Sequence, residues 1–191
     1  MNTPRFSWGY WGEPEPGLDG RRMDCARGKV LGGSSAINGM VYVRGHADDF
    51  DQWVEAGATG WSYADCLPYF TRAERWMGGE DAYRGGEGPV DTCNGNNMKN
   101  PLYAAFIAAG EEAGYGRTDD YNGYRQEGFG AMHMTVRRGE RCSTDWAYLA
   151  PARKRPNLTV VTEAEVDKLT LSGKQVTGAG YQRRGEMCEA P

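Results

Sequence analysis

The residues with the clearest chemical potential lie in one run, RGKVLGGSSAINGMVYVRG, from Arg27 to Gly45. It combines glycines at Gly28, Gly32 and Gly33, the hydroxyls of Ser34 and Ser35, and a polar Asn38 inside an apolar stretch. Glycines this closely spaced weaken a helix or a strand, so local propensity disfavours them and a close approach to the backbone must favour them. A turn whose N–H groups and hydroxyls lead directly into an ordered segment suits an anion. Close packing of the chain against itself accounts for the same glycines equally well. A phosphate-cradling P-loop is excluded, because it needs a lysine after its second glycine. Here Lys29 follows the first glycine, and Gly32-Gly33 leads into Ser34. The G-x-G-x-x-G dinucleotide fingerprint is absent from the chain.

The other candidates read as structural. His46 stands beside Asp48, Asp49 and Asp51 in a polar stretch, which predicts a surface or loop role. HADDFD lacks EF-hand spacing and its later glutamate, so no metal is expected there. His133 alternates with apolar residues in GAMHMTV and is expected on a strand face. The five cysteines (Cys25, Cys66, Cys93, Cys142 and Cys188) are odd in number with no C-x-x-C pair. That argues against a disulfide framework and a zinc site, and for free thiols in a reduced compartment. Trp8, Tyr10 and Trp11 are expected to anchor a loop rather than to wall a cation site.

Composition narrows the partners. A net charge of -4 and a pI near 5.3 leave no cationic surface for a nucleic acid. Arg153, Lys154 and Arg155 before Pro156 read as a solvated helix end. The sequence has no apolar run of membrane-spanning length and no signal-peptide pattern, which predicts a cytoplasmic protein or one peripheral to the inner membrane. The sequon at Asn157 would matter only in a secreted protein. The 28 glycines, six tryptophans and eleven tyrosines suggest a loop-rich fold wrapped around something.

These residues need elements to position them. Residues 1–23 are expected to be extended with turns and without an obvious first strand. Ser62, with Asp65 three residues later, signals a helix start, with a kink or restart at Pro68. Asn100 is placed to cap a second helix with Pro101 at its first position, Leu102, Ala105, Phe106 and Ala109 on one face, and Gly114 as its stop. GGEDAYRGGEGPVDTCNGNN, between these helices, is expected to be a long loop. A third helix is expected from Ser143 or Thr144 towards Pro151. The sequence then turns β-branched, with strands expected over 166–171 and 175–181 around a turn at Ser172-Gly173-Lys174. The order of elements predicts an α+β fold or part of a larger α/β fold, with helices and loops followed by a small β-meander.

RGKVLGGSSAINGMVYVRGHADDFDQW resembles the first signature segment of the glucose-methanol-choline (GMC) oxidoreductases, the flavin-dependent alcohol-oxidising family. WSYADCLPYFTRAE, YRGGEGPV, GYGRTDDYNGYRQEGFG, STDWAYL and RPNLTVVTEAEVDKL follow in that family's order and are most similar to its choline dehydrogenase branch. In STDWAYL, Asp145 and Trp146 replace the more usual small and basic residues. The resemblance implies FAD as cofactor, contacted by Val30, Gly33, Ser34, Asn38, Gly39, Met40 and Val41, with Val166 placed to meet adenine through its backbone. It implies oxidation of a small alcohol such as choline to the aldehyde, with a separate electron acceptor and no metal. The family's catalytic histidine matches neither His46 nor His133 and is expected beyond this chain.

On this reading the chain is an interior fragment of a larger FAD-binding fold. Residues 1–60 are the Gly-rich flavin-covering segment, 61–155 a helical and loop region of the flavin and substrate domains, and 156–191 strands returning to the flavin domain. The 191-residue chain alone is expected to be inactive. The alternatives are a non-catalytic chain or binding module, and an enzyme of the same family acting on another primary alcohol.

Overall fold

A computed structural model describes residues 3–191, apart from the side chains of residues 96 and 97. The first two residues of the N-terminal stretch read above lie outside that set. The chain divides into two compact units, Met1–Pro151 and Ala152–Pro191.

The first unit is held by short, separate pieces. Strand β1 (Tyr10–Trp11) pairs antiparallel with β2 (Asp24–Cys25), Tyr10 opposite Cys25 and Trp11 opposite Asp24, so the N-terminal stretch does contain a strand. Helix α1 (Ala47–Glu55) was not foreseen. Its cap is His46, whose ring accepts from the Asp48 N–H while the Asp49 carboxylate returns a bond to the His46 N–H. A histidine nitrogen here takes the place of the usual serine or aspartate oxygen, and the polar HADD run is the first turn of a helix.

Helix α2 (Tyr63–Ala73) starts at Ser62 with the expected capping box to Asp65. It runs through Pro68 as one continuous helix, although Pro68, at the sixth helical position, has no N–H to donate to the Ala64 carbonyl. Phe50 of α1 packs edge-on against Trp53 and Phe70, with ring centroids 5.1 and 5.8 Å away, and this aromatic cluster joins the two helices.

The stretch expected to be a long loop contains one strand and pairs it with a second, formed by the residues just before the stretch. β3 (Glu74–Trp76) follows α2 directly and pairs in parallel with β4 (Val90–Asn94), which pairs antiparallel with β5 (His133–Met134). β4 carries Thr92 and Cys93 inward, too few apolar residues for sequence periodicity to reveal a strand. Helix α3 (Pro101–Glu112) is capped by Asn100 and followed by Gly114 in the left-handed region, as expected. Its apolar face is open: Leu102 and Phe106 are 71% and 67% exposed.

β6 (Val136–Arg137) and β7 (Glu140–Arg141) form a hairpin closed by Arg138-Gly139, both at positive φ, the combination of a type I′ turn. The third expected helix is a π-helical turn, Asp145–Leu149, running into the short α-helical turn Ala150–Ala152.

The second unit is a meander of β8 (Ala164–Ser172), β9 (Gln175–Arg183) and β10 (Glu186–Ala190), in the order β10-β9-β8. The turn at Gly173-Lys174 matches expectation; the second, Arg184-Gly185, has positive φ at both residues and adds the unforeseen β10. Among the described residues no helix is long and apolar enough to cross a membrane.

The centre of the first unit is polar. Among the described residues its largest fully buried side chains are Arg84, His133, Glu74, Asn122 and Thr92, while the buried apolar set is Phe50, Cys93, Cys142 and Ala147.

Candidate functional site

Seven of the eight expected cofactor contacts lie along one segment of the first unit. A single 3-10 turn, Gly33–Ala36, is followed by an extended piece whose Val41 bridges Met134 and whose Tyr42 N–H donates to the His133 carbonyl at 2.9 Å. Ser34, Asn38, Gly39 and Val41 are exposed; Val30, Gly33 and Met40 are half-buried. Val166 is on β8 of the second unit, 63% exposed and beside a bulge at Asp167.

The segment's glycines separate by cause. A Cβ on Gly28 would sit 2.2 Å from the Gly33 carbonyl oxygen, and one on Gly32 would press 3.2 Å against Asp145. Both are glycines because the chain folds onto itself there. A Cβ on Gly39 meets nothing within 4 Å, and Gly39 is outside the left-handed region. Nothing among the described residues requires a glycine at 39.

The backbone donors are less available than the sequence implied. Gly33 N–H is bonded to Val30 O, Ser35 N–H to Gly32 O, and the N–H groups of Ile37 and Asn38 to Ser34 O. The Ser34 hydroxyl accepts from Gly28 N–H at 3.1 Å. The turn therefore spends most of its donors on itself, and a ligand beside it meets chiefly side chains and the Gly39 surface. Val41 and Val43 stand on the exposed side of the extended piece, 51% and 65% exposed. Two apolar side chains beside a primary amide and a bare glycine suit a flat ring system with a polar edge.

Met40 is the strained residue, with φ 64. The Asn38 Oδ1 accepts its N–H at 3.0 Å, and its carbonyl accepts from the Thr135 N–H at 2.8 Å, so both ends of the residue are fixed. Backbone strain of this kind persists only where the surroundings over-determine it.

Directly behind the segment lies the buried polar cluster, which sequence reasoning missed. The Glu74 carboxylate accepts from Arg84 Nη2 at 2.6 Å and Nε at 3.0 Å, Arg44 Nη2 at 2.7 Å and Thr92 Oγ1 at 2.6 Å. Arg84 Nη1 donates to both Asp120 oxygens at 2.8 Å. The loop carrying Arg84 can reach Glu74 because Gly85 has no side chain: a Cβ there would fall 1.8 Å from the Thr71 carbonyl oxygen. Burial pushes the Glu74 carboxyl up, but the bonds from Arg84 and Thr92 outweigh it and hold the group below the usual range.

His133 completes the cluster at 0% exposure. Its Nδ1 faces two obligatory donors, Asn122 Nδ2 at 3.1 Å and Arg84 Nη1 at 3.3 Å. Nδ1 must therefore accept, and the ring proton belongs on Nε2. Burial, with the Arg84 charge second, pushes the imidazole down to about 4. A wholly buried, neutral histidine orients the strands around it and does not meet a substrate. The sequence signal that could have located this cluster is weak: Glu74, Arg84, Asp120 and His133 are far apart in the chain, and only the glycines of RGGEG hint at a tightly packed loop.

A family model described as GMC oxidoreductase matches residues 12–189. The chain belongs to the GMC oxidoreductase family. Two curated relatives named oxygen-dependent choline dehydrogenase, from Photobacterium profundum and Vibrio vulnificus, are 60% and 58% identical to it over 188 residues. These matches cover 98% of this chain but 33% and 34% of the relatives. The chain thus spans about a third of the length of the curated relatives it matches. Among solved structures, pyridoxine 4-oxidase (Mesorbium loti) superposes with a TM-score of 0.89 at 34% identity, covering 96% of this chain and 36% of that one. An FAD-dependent oxidoreductase from Chaetomium thermophilum superposes with a TM-score of 0.88 at 27% identity, covering 99% and 35%. The mixed helices and small sheets described above are thus those of a GMC oxidoreductase part, as the sequence implied.

Proposed function

We propose that this chain supplies part of the FAD-contacting surface of an enzyme that oxidises choline, or a closely similar alcohol, to the aldehyde. The contacts are Val30, Gly33, Ser34, Asn38, Gly39, Met40 and Val41, with Val166 towards the adenine. The observation that carries this reading is Gly39, an exposed glycine that neither packing nor backbone conformation of its own chain demands. Its bare surface lets a planar group lie against the backbone where a side chain would hold it off. Val41 and Val43 offer an apolar bed for such a group, and the Asn38 amide offers a polar contact at its edge.

Bound FAD would supply the two-electron acceptor for the alcohol carbon. This chain's residues hold and orient that group; the buried His133 takes no proton from the substrate, and the family resemblance puts the catalytic histidine beyond these 191 residues. Choline as substrate and oxygen as electron acceptor rest on the relatives' names and the 60% identity. Five free cysteines support a reducing, cytoplasmic or membrane-peripheral setting.

The test compares Gly39→Val with the remote Lys174→Ala in the full-length polypeptide that carries these residues. Flavin content after desalting and choline-dependent dye reduction are expected to fall at least tenfold in the first variant and to hold in the second. Equal flavin content in both overturns the assignment.

A further inference from the structure

Asn38 and Arg141 are 103 residues apart in sequence, yet the Arg141 Nη1 donates to the Asn38 Oδ1 at 2.8 Å and to the Ser35 carbonyl at 3.1 Å. The Met40 N–H donates to the same Oδ1 at 3.0 Å. A backbone N–H and a guanidinium can only donate, so the atom they share must be the amide oxygen. The two donors thereby settle which way the Asn38 amide faces, and its NH2 group is turned to the other side. No protein partner of that NH2 group is recorded among the described residues, and Asn38 is exposed.

Arg141 is held in place for this contact. The type I′ turn at Arg138-Gly139 fixes the register of the β6–β7 hairpin, which puts Arg141 opposite Val136. The next residues clamp the same segment: Thr144 N–H donates to Ser35 Oγ at 3.0 Å, and Thr144 Oγ1 donates to the Gly32 carbonyl at 3.2 Å. Among the described residues Arg141 makes no ion pair, and both recorded bonds of its guanidinium go to the Gly-rich segment. An unneutralised cation on the amide oxygen also polarises the amide and makes its N–H groups stronger donors.

We propose that Arg141 is a positioning residue for the flavin site: it locks the Asn38 amide so that the Asn38 NH2 group donates to a polar acceptor of the bound cofactor. This rests on the functional reading above and adds to it a residue from a distant hairpin. Without Arg141 the amide keeps only the Met40 N–H as a director, and rotation of its outer dihedral presents oxygen and nitrogen to the ligand in turn. A carboxylate at 38 would still accept from both internal donors but could donate nothing outward.

A double-mutant cycle on FAD affinity in the full-length polypeptide tests this, with the flavin's visible spectrum as a second readout. Asn38→Ala, Asn38→Asp and Arg141→Met are each expected to weaken FAD binding about tenfold, the loss of one charge-assisted hydrogen bond. Arg141→Lys, which restores a cationic donor, is expected to recover part of that loss. The combination of Asn38→Ala with Arg141→Met should bind FAD as Asn38→Ala alone does, because Arg141 acts through the amide. Additive losses, or full FAD affinity and an unchanged spectrum in Arg141→Met while Asn38→Ala weakens binding, overturn the proposal and leave the functional reading standing. If Arg141→Met does not fold, the same cycle with Arg141→Lys decides by the same criteria. Unchanged flavin content in both Gly39→Val and Asn38→Ala would overturn the functional reading and the proposal together.

Discussion

Acidification from about pH 7.5 to about pH 5 should cost this protein stability through a single side chain, His133. Its imidazole is pushed from 6.5 down to about 4 by burial and then by Arg84, so the folded state resists a proton that the unfolded state accepts. Between those values the unfolded chain binds more protons, and stability must therefore rise with pH. The contribution is complete above about 6.5 and is lost as pH falls towards 4. At about 1.36 kcal/mol per pH decade, the whole effect is about 3 kcal/mol, and about 2 kcal/mol of it is gone at pH 5. Glu74 acts in a different window. Its carboxyl is held below its ordinary 4.5, so its contribution is present above that value and fades only as pH falls through the lower folded value. Urea denaturation followed by tryptophan fluorescence at about pH 7.5, 6 and 5 measures the effect, with His133→Gln as the non-titrating control. The wild type should lose about 2 kcal/mol more than the variant over that range. Parallel losses in the two proteins would refute the claim that a neutral, buried His133 sits against Arg84.

Glu74→Gln leaves Arg44 and Arg84 buried with only Asp120 to balance them, and is expected to cost about 3–5 kcal/mol, read from the urea midpoint. Thr92→Val removes one bond to the same carboxylate and should cost less, about 1–2 kcal/mol. The purified 191-residue chain, supplied with FAD and choline, is expected to reduce no dye above a free-FAD control, because its one central histidine is fully buried. Choline-dependent turnover that vanished in His133→Ala would place the base within this chain and contradict that reading.

Local signals were legible in the sequence and distant ones were not. Ser62 with Asp65, and Asn100 with Pro101, announced their helices because a cap is chemistry between residues two or three apart. His46 caps by the same geometry, but a histidine among aspartates reads first as a polar surface. The Gly173-Lys174 turn was legible, whereas β10 was missed because EMCEA carries little β-branched character. The Gly-rich segment was recognisable as a close approach, yet only coordinates separate Gly28 and Gly32, which serve the chain's own packing, from Gly39, which does not. The cluster of Glu74, Arg84, Asp120 and His133 was invisible for a plain reason. Glu74, Arg84 and Asp120 look like ordinary surface charges until the four segments meet, His133 was legible only as a strand-face residue, and charged side chains are seldom the centre of a unit.

That polar centre also orders events on the ribosome. The Arg44 N–H finds its partner in Asn122, 78 residues later, and at about 5–20 residues per second the wait is roughly 4–16 s. During that interval Arg44 has no Asn122 to bond, and the parallel β3–β4 pair lacks β5 on its far edge. The polar centre of the first unit therefore closes late, once His133 bridges Asn122 to Arg84. Until then the nascent chain carries unpaired strand edges and charges without their partners, the kind of surface on which folding intermediates associate.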